Sequence, residues 1–577
     1  MDKQSNLRLI LAVAISFAVI VIWSKFFTPE PPIKEPQAAN QVTDSSVKSE
    51  NEVIPQSAMN TNANIIAPPS STNASNTMKG IPTSVPQIKE NLVRIESQDF
   101  DMDIDVSGAI TQVYLKADKY TQPHQEGIFT HIGRLFGMVS GENKKLDRLP
   151  LLADNVPLYP LQMIFTDENY RKKSSEIKYS TDRSHIVLTD KAETLTLTQD
   201  LGDLVVKKII TIEPNMTYKV QIELSKQTQY LISNGMRPNA DSESYVFHGV
   251  VLQKNNGSIE KIEDGDAKNE GENFDDALYV ASVDRYYTSL LFNIDKPLSL
   301  SIGAFSKGLP TPFINVNSAN EVLHGYIGPK DYRVLESINP HLTSVVEYGR
   351  ITFFAKYIFA LLDFLYQYIG NWGVAIIVLT IIIRIILFPL SFKGMVGMQK
   401  LKELAPKMKD LQAKYKGDPQ KLQASMMELY KKHGANPLGG CLPLVLQIPV
   451  FFAIYRVLYN AVELKNAPLM WWIHDLSVMD PYFVLPLLMG LSMYLQQALT
   501  PTTFTDPMQE KVFKWLPVIF TFFLITFPAG LILYWTINNL ISIIQQLAIN
   551  KMLESKRQKE IEEHTHKKHT HKTKNRQ

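Results

Sequence analysis

The stretch VAIIVLTIIIRIILFPLSF, residues 374–392, has the length and composition of a membrane span except for one charged residue, Arg384. A guanidinium stays protonated in proteins and therefore cannot become neutral to enter hydrocarbon. Placing it in the middle of a span costs about 2.5–3.5 kcal/mol on insertion scales. Because intramembrane charges normally face the interior of a helix bundle or a water-filled cavity, Arg384 indicates a polar site inside a membrane domain.

The rest of the chain divides into parts of different composition. It has 577 residues, 45% of them hydrophobic, and a net charge of +2, with a polar middle and an apolar last third. A single cysteine, Cys441, excludes an intramolecular disulfide. The N-terminus has a short basic start and an apolar run to Trp23, without a small-residue cleavage site. Residues 1–28 are therefore predicted to be an uncleaved signal-anchor span, with Lys3 and Arg8 on the cytoplasmic side.

The polar middle of the chain is predicted to be a tether followed by a β domain. Residues 29–95 are rich in Pro, Ser and Asn, a composition that predicts disorder. Residues 96–348 contain strand patterns such as DFDMDIDVSG, TLTLT and TYKVQIEL, separated by turns with Gly, Asn and Asp. The patterns predict one large antiparallel β-sandwich, which the orientation of the anchor places on the side of the membrane away from the cytoplasm.

Residues 350–370 are predicted to form an amphipathic helix that lies flat in the membrane interface. Its surface is apolar or aromatic except for one narrow stripe, which consists of Thr352, Lys356, Asp363 and Gln367. If this helix also crossed the membrane, the segment 393–437, with ten lysines and four acidic residues, would lie outside. That arrangement contradicts the bias of basic residues toward the cytoplasm.

The apolar last third predicts the remaining spans. The second span is 371–392, and residues 438–549 contain spans three to six, at 438–460, 483–499, 513–528 and 529–549. With the anchor this makes six spans, with both termini in the cytoplasm. Prolines inside these runs, including Pro389, Pro449 and Pro517, predict interrupted, short helices and a locally thinned bilayer.

Two polar segments are predicted on the cytoplasmic side, one between the second and third spans and one after the sixth. Residues 393–437 carry an apolar seam with heptad spacing, broken at Gly417, Asp418 and Pro419, which predicts two paired helices with Asp418 as the second N-cap. Their lysines serve either solubility and topology or attraction to anionic lipid or ribosomal RNA. Residues 550–577 form a basic tail, which the composition predicts to be coil. Its four histidines do not predict a metal site.

Each span after the anchor except the fifth offers polar side chains on one face. They are Thr380 and Arg384 in the second span, Gln447 in the third, Ser492 and Gln496 in the fourth, and Tyr534, Asn538, Ser542 and Gln545 in the sixth. Hydrogen bonding between helices is enough to explain the presence of any single amide side chain within a span. It does not explain Arg384, because the spans supply no carboxylate to pair with it, and we therefore expect the polar faces to line a hydrated cavity.

Several patterns that accompany catalysis do not occur in the sequence. There is no GxxxxGK[ST] phosphate loop, no HExxH and no GxSxG. The sequence therefore predicts a protein that is not an enzyme, with no cofactor and no metal.

Long motifs of the last third resemble the Oxa/Alb/YidC family of membrane protein insertases. They are GNWGVAIIVLTIIIRIILFPL, NPLGGCLPLVLQIPVFFAIY, MWWIHDLS, PTTFTDPMQEKVFKWLPVIFTFF and FPAGLILYW, and YIGPK and EYGR match the end of the family's periplasmic domain. The large outer domain and uncleaved anchor are similar to the Gram-negative form. The resemblance covers the chain except the tether and the tail.

The resemblance implies a five-helix core with a hydrophilic groove, open to cytoplasm and lipid, that inserts and folds membrane proteins. The family's groove arginine and its neighbouring threonine match Arg384 and Thr380. Substrate-contacting positions match Pro449, Phe451, Thr521 and Phe523. One departure is Trp535, which stands where the family often has a second tyrosine, and indole lacks the acceptor oxygen of tyrosine.

The resemblance also implies partners and a location. These are nascent membrane proteins, the ribosome at the cytoplasmic hairpin and basic tail, the lipid bilayer of the inner membrane, and the Sec translocon with its accessory subunits. Small clients are expected to need no Sec. A secondary transporter of a small anion, bound at Arg384, is the alternative, although the sequence has no inverted repeat.

Overall fold

The computed structural model describes residues 90–122, 145–240, 246–305, 308–346, 352–433, 442–500 and 507–574. The predicted anchor 1–28 and residues 29–89 of the predicted tether lie outside the described residues. The described chain forms an N-terminal β-sandwich followed by a bundle of long helices.

The sandwich contains eighteen strands among the described residues. They are β1 Asn91–Glu96, β2 Phe100–Asp105, β3 Ile110–Leu115, β4 Leu149–Pro150, β5 Pro160–Phe165, β6 Ser180–Thr181, β7 His185–Val187, β8 Glu193–Asp200, β9 Val205–Ile212, β10 Thr217–Leu224, β11 Tyr230–Asn234, β12 Gly249–Lys254, β13 Ile259–Glu263, β14 Glu272–Val283, β15 Tyr287–Phe292, β16 Leu298–Phe305, β17 Leu309–Val316 and β18 Asn320–Pro329. Two short helices, α1 Asp118–Thr121 and α2 Glu168–Glu176, lie between strands.

The strands form two sheets that face one another. The smaller sheet has the order β4-β3-β2-β1-β7, and the larger runs β5-β11-β17-β16-β14-β15-β18-β10-β9-β8-β6, with β12 and β13 attached to β14. Apolar residues of both sheets, such as Phe100 and Ile104 of β2 and Val206 and Ile210 of β9, share one core with no exposed surface. The predicted sandwich is confirmed, and between the described strands every pairing except the parallel β1–β7 pair is antiparallel.

The start of this domain differs from the sequence-based boundary. Residues 91–95, predicted to belong to the tether, form most of β1 and bury Val93 and Ile95 completely. The alternating pattern begins before the residue at which the Pro- and Ser-rich composition ends, so composition alone placed the boundary too late.

The acidic side chains of β2 are buried rather than solvated. Asp101 is 3% exposed, and Arg94 and Arg148 each approach its Oδ2 at 3.1 Å, while Lys116 pairs with its Oδ1. The side of β2 opposite Phe100 is therefore covered by basic side chains from its neighbours.

Helices connect the sandwich to the bundle. They are α3 Tyr332–Ile338, a 3₁₀ turn at Pro340–Val345 and α4 Thr352–Ile369, which corresponds to the predicted interfacial helix. One face of α4, with Ala355, Phe359 and Leu362, is buried against the bundle, and Phe354 and Tyr368 on other faces are exposed. Asp363 of the polar stripe pairs with Arg333 of α3 at 2.8 Å (Nε–Oδ1) and so joins α4 to the sandwich.

In the described part of the chain, the bundle consists of six further helices. They are α5 Trp372–Lys414, α6 Pro419–Lys432, α7 Leu442–Asn460, α8 Val484–Leu499, α9 Pro507–Leu524 and α10 Ala529–Lys574. Among the described residues, Trp372–Leu401 within α5 and Ala529–Lys559 within α10 are long and apolar enough to cross a membrane, and α8 is a shorter apolar helix. The count of six spans therefore stays a prediction.

Several predicted interruptions are wrong. Pro389 lies inside α5, Pro449 inside α7 and Pro517 inside α9. Helix α5 is continuous from the predicted second span into the predicted cytoplasmic hairpin, so the boundary at 392 is not a structural break. Packing of neighbouring helices offsets the lost hydrogen bond of each proline.

The hairpin of α5 and α6 has the predicted seam and cap. Leu404 and Met408 of α5 are buried against Met426, Leu429 and Tyr430 of α6. Asp418 is the N-cap of α6 and accepts a hydrogen bond from the backbone N–H of Lys421 at 3.1 Å, with Pro419 at the first helical position.

The predicted coil of the tail is wrong over most of its length. Helix α10 continues from the bundle to Lys574, so residues 550–574 extend the sixth predicted span as helix. The alternation of charged and polar residues in the tail gave no apolar period, but a helix that has already formed propagates at little cost.

Candidate functional site

Arg384 lies on α5 in the interior of the bundle, with 7% of its surface exposed. Thr380, one turn earlier, is 1% exposed, and its hydroxyl donates to the carbonyl of Ile376 at 2.7 Å. The hydroxyl is thus satisfied within its own helix. The fixed spacing of one turn places both polar side chains on the face of α5 that meets α10.

Helix α10 supplies the hydrogen-bond partners of Arg384. Its Nε donates to Oδ1 of Asn538 at 2.6 Å, and its Nη2 donates to the carbonyl of Asn538 at 3.1 Å and to Oγ of Ser542 at 2.6 Å. The Ser542 hydroxyl in turn donates to the Asn538 carbonyl at 2.9 Å. The expectation that hydrogen bonding between helices could not account for Arg384 is wrong, because an amide, a carbonyl and a hydroxyl take the place of a carboxylate.

One part of the guanidinium remains open. A guanidinium has five N–H donors, and the bonds above use those of Nε and Nη2. Nη1 has no hydrogen-bond partner among the described residues and is not among their enclosed, unsatisfied atoms. Arg384 is therefore held to α10 along one edge while Nη1 faces accessible space, with its charge uncompensated by any carboxylate in the described part of the chain.

An aromatic cluster adjoins this polar pair. Tyr534, one turn before Asn538, is 2% exposed, and its ring lies 6.5 Å from that of Phe451 on α7. Trp535 packs edge-on against Phe451 at 4.8 Å and against Phe520 on α9 at 5.9 Å. Trp535 therefore joins α7, α9 and α10 through ring contacts. Its indole packs against neighbouring rings where a tyrosine would offer an acceptor oxygen.

Of the two predicted polar residues of α8, Ser492 contacts another face of α10. Ser492 is 3% exposed and accepts a hydrogen bond from Nδ2 of Asn539 at 3.0 Å. Because Asn538 and Asn539 are successive residues on a helix, they point about 100° apart, one toward α5 and one toward α8. Gln496, one turn after Ser492, is half-buried. Sequence reasoning missed Asn539, although the pair of adjacent asparagines in an apolar run was a usable signal.

The remaining predicted residues lie toward the surface. Gln447 and Phe451 on α7 are half-buried and Pro449 is exposed. Thr521 on α9 abuts Gly490 of α8. A Cβ atom at position 490 would collide with the hydroxyl of Thr521. Phe523 is 67% exposed and its neighbour Phe522 is 75% exposed. Such apolar exposure on α9 suits contact with lipid or with an apolar helix.

Comparisons with known proteins cover nearly the whole chain. The family model described as "60Kd inner membrane protein" matches residues 364–557, and that of the "YidC periplasmic domain" matches residues 141–361. A membrane protein insertase YidC of Helicobacter pylori is 52% identical over 564 residues, covering 96% of this chain and 98% of its own. One of Wolinella succinogenes is 49% identical over 563 residues, covering 96% and 97%. One of Campylobacter jejuni is 44% identical over 559 residues, covering 96% and 98%.

Fold and comparisons agree on the class of protein. The family model of an inner membrane protein matches the helix bundle and that of a periplasmic domain matches most of the β-sandwich, so the chain is an inner-membrane protein with a periplasmic domain. The chain belongs to the YidC family.

Proposed function

We propose that this protein inserts and folds integral membrane proteins, and that Arg384 lies in the hydrophilic groove through which polar client segments pass. Membership of a family whose relatives are named membrane protein insertases supports the function. The observation that carries the role of Arg384 is its geometry. Two nitrogens bind α10, and the third, Nη1, is left without a partner among the described residues.

The physical role follows from charge and hydration. Transfer of an apolar client helix into lipid is favourable and supplies the driving force, whereas its acidic extracellular tail resists entry into hydrocarbon. A fixed positive charge that faces accessible space lowers the energy of such a tail part of the way across. Arg384 stays charged because a guanidinium is not deprotonated in proteins. Because its pairing groups are neutral, this charge is not compensated and remains available to the client.

The proposed topology has six spans, the first within residues 1–28, and both termini in the cytoplasm. The distribution of lysines supports this orientation. The hairpin of α5 and α6 has ten basic residues against four acidic within 393–437, and the loop 461–482 has one against three. Helix α4 lies in the outer interface, where its exposed aromatic side chains suit the headgroup region. The groove is proposed to include Thr380, Gln447, Ser492, Gln496, Tyr534 and Asn538.

Partners follow from the same arrangement. Client helices are proposed to contact the rim formed by Pro449, Phe451, Thr521 and Phe523. The ribosome is proposed to bind the basic hairpin and the helical tail to Lys574, because both present lysines on the cytoplasmic side. The protein is proposed to insert small clients without the Sec translocon and other clients together with it.

Insertion into Sec-free liposomes tests the proposal. Ribosome-bound chains of a small single-span protein with an acidic N-terminal tail meet purified protein, and protease protection of the tail is scored. We expect insertion by the unmodified protein, loss with Arg384→Ala, and near-normal insertion with Arg384→Lys, since an ammonium can still reach the acceptors on α10. A client with a neutralised tail is the control and is expected to lose little with Ala. Equal insertion of the acidic client by Ala and unmodified protein contradicts electrostatic capture, and absence of insertion by folded unmodified protein contradicts Sec-independent action.

A further inference from the structure

The loop between α7 and α8, residues 461–483, lies at the end of the bundle that faces the sandwich. Arg285 of the sandwich donates from Nε to the carbonyl of Tyr459 at 3.0 Å, and Asn466 donates from Nδ2 to the carbonyl of Lys119 at 2.6 Å. Asn371, before α5, donates to the carbonyl of Leu469 at 2.9 Å. These contacts fix the loop to both parts of the molecule on the outer side of the membrane in the proposed orientation.

Two adjacent tryptophans in this loop have opposite environments. The indole N–H of Trp472 donates to Oδ1 of Asp480 at 3.0 Å, and Asp480, which is fully buried, also accepts the backbone N–H groups of Tyr482 and Leu485 at 3.0 and 2.7 Å. Trp472 is thus part of the internal frame of the loop. Trp471 is 77% exposed, and its only ring contact among the described residues is the stacked ring of Trp472 at 5.8 Å.

The backbone at Trp471 is held in an unfavourable conformation. Its φ is +54°, in the left-handed region, which costs about 1–2 kcal/mol for a residue with a side chain. Such strain persists where the surrounding structure enforces it, and it often accompanies a functional role. Here it turns a large indole outward, away from the hydrogen-bonded frame around Asp480.

The loop that carries Trp471 and the helix that follows it, α8, both expose apolar side chains. In the loop, Met470 is 45% exposed, Met479 is 40% and Tyr482 is 51%. On α8, Leu487 and Leu491 are 64% and 56% exposed. The one lysine of the loop, Lys465, is only 7% exposed, so the outward surface is not cationic. An exposed indole between apolar helix surface and water is the arrangement that tryptophan adopts at membrane interfaces.

We propose that Trp471 is an outer-leaflet anchor that inserts at the boundary between lipid headgroups and acyl chains. Since Trp472 and Asp480 hold the loop rigidly, the anchor fixes the depth of the outer ends of α7 and α8 relative to the bilayer. The inference rests on the proposed membrane orientation and is independent of insertase activity.

Spin labelling of the full chain in lipid vesicles tests this anchor. Cys441 is the only cysteine, so Cys441→Ser provides a background for Trp471→Cys, labelled with a nitroxide. Val187→Cys, at a sandwich position of 62% exposure on the edge strand β7, is the matched control. We expect the label at 471 to collide more with lipid-soluble oxygen than with a water-soluble nickel complex, and the label at 187 to show the reverse. A label at 471 that is as accessible to nickel as the control overturns the proposal, and so does one shielded from both reagents, which indicates a protein partner.

A second measurement retains the native indole. Brominated phosphatidylcholines quench tryptophan according to depth, and the difference between unmodified protein and Trp471→Phe isolates the contribution of Trp471. We expect the fluorescence of Trp471, obtained as this difference, to be quenched more by lipids brominated near the headgroup than by lipids brominated near the bilayer centre. A difference signal quenched by neither overturns the anchor even if the labelled variant misfolds. Neither readout involves client insertion, so failure of the insertase proposal is recognised separately.

Discussion

Replacement of Asn538 by aspartate separates the charge of Arg384 from its role in packing. Asn538→Asp keeps Oδ1, which accepts from Nε at 2.6 Å, and exchanges only the amide nitrogen for a second oxygen. The backbone carbonyl and the Ser542 hydroxyl continue to accept from Nη2. The buried cation then faces a carboxylate rather than a neutral amide, so the site becomes electrically neutral at nearly unchanged shape.

The expected effect follows from Coulomb's law. A client carboxylate that comes within about 8 Å of the guanidinium gains about 2 kcal/mol at an effective dielectric constant of about 20. The aspartate cancels most of this attraction, and 2 kcal/mol corresponds to about a thirty-fold change in an equilibrium or, if fully expressed at the barrier, in a rate. The fold is expected to survive, because the cost of burying the new carboxylate is offset by a close, hydrogen-bonded partner.

The assay is protease-protected insertion into Sec-free liposomes, with clients that differ only in an acidic or a neutralised tail. We expect Asn538→Asp to slow the acidic client by up to about thirty-fold by the estimate above and to leave the neutral client within about twofold. Ser542→Ala is the matched control, because it removes one hydrogen bond from Nη2 and leaves the charge uncompensated. Unchanged insertion of the acidic client by a folded Asn538→Asp protein would refute the reasoning, since it would mean that the positive charge itself has no role.

Two buried groups outside the membrane predict pH dependence of opposite sign. Burial and the neighbouring Asp331 raise the pKa of Glu463 to about 7, and its Oε1 accepts the Tyr332 N–H at 3.0 Å. Between pH 4.5 and 7 the native state therefore holds a proton on Glu463 that the open state releases. The free energy of opening, measured from hydrogen exchange of the Tyr332 amide, should fall as pH rises through that window, by no more than about 3 kcal/mol. Glu463→Gln should remove this dependence, and an identical slope in that variant contradicts the assignment. Burial lowers the pKa of Lys208 to about 7, and its Nζ donates to the carbonyls of Gly108 and Leu161 at 2.8 Å each. The unfolded chain keeps the proton of this lysine up to pH 10.5, so the stability of strand β9, measured by amide protection, should rise from pH 7 toward 10. Lys208→Met should abolish this rise. If the rise persists in that variant, it belongs to other titrating groups.

Local patterns were sufficient for much of the architecture. The alternation in DFDMDIDVSG correctly predicted a strand, β2, whose Phe100 and Ile104 lie in the core. The Gly-Asp-Pro break at 417–419 correctly predicted the end of one helix and the start of the next. These features depend on neighbouring residues, whose side-chain directions and capping groups are fixed by the backbone period. Likewise, one arginine in an apolar run was enough to indicate a polar site within the bundle.

What lies far apart in sequence was decided only by tertiary structure. Arg384 finds its acceptors on Asn538 and Ser542, more than 150 residues away, and no periodicity in α5 could indicate them. The asparagine pair 538–539 is divided between two neighbouring helices. The adjacent tryptophans are divided too, because Trp471 is exposed and Trp472 belongs to the hydrogen-bonded frame of the loop. The sequence by itself determined that a charge must be buried and which segments are apolar, because those depend on composition and local period. Only the packed fold decides which guanidinium nitrogens of Arg384 have hydrogen-bond partners and which one has none among the described residues, because that depends on the distances between helices.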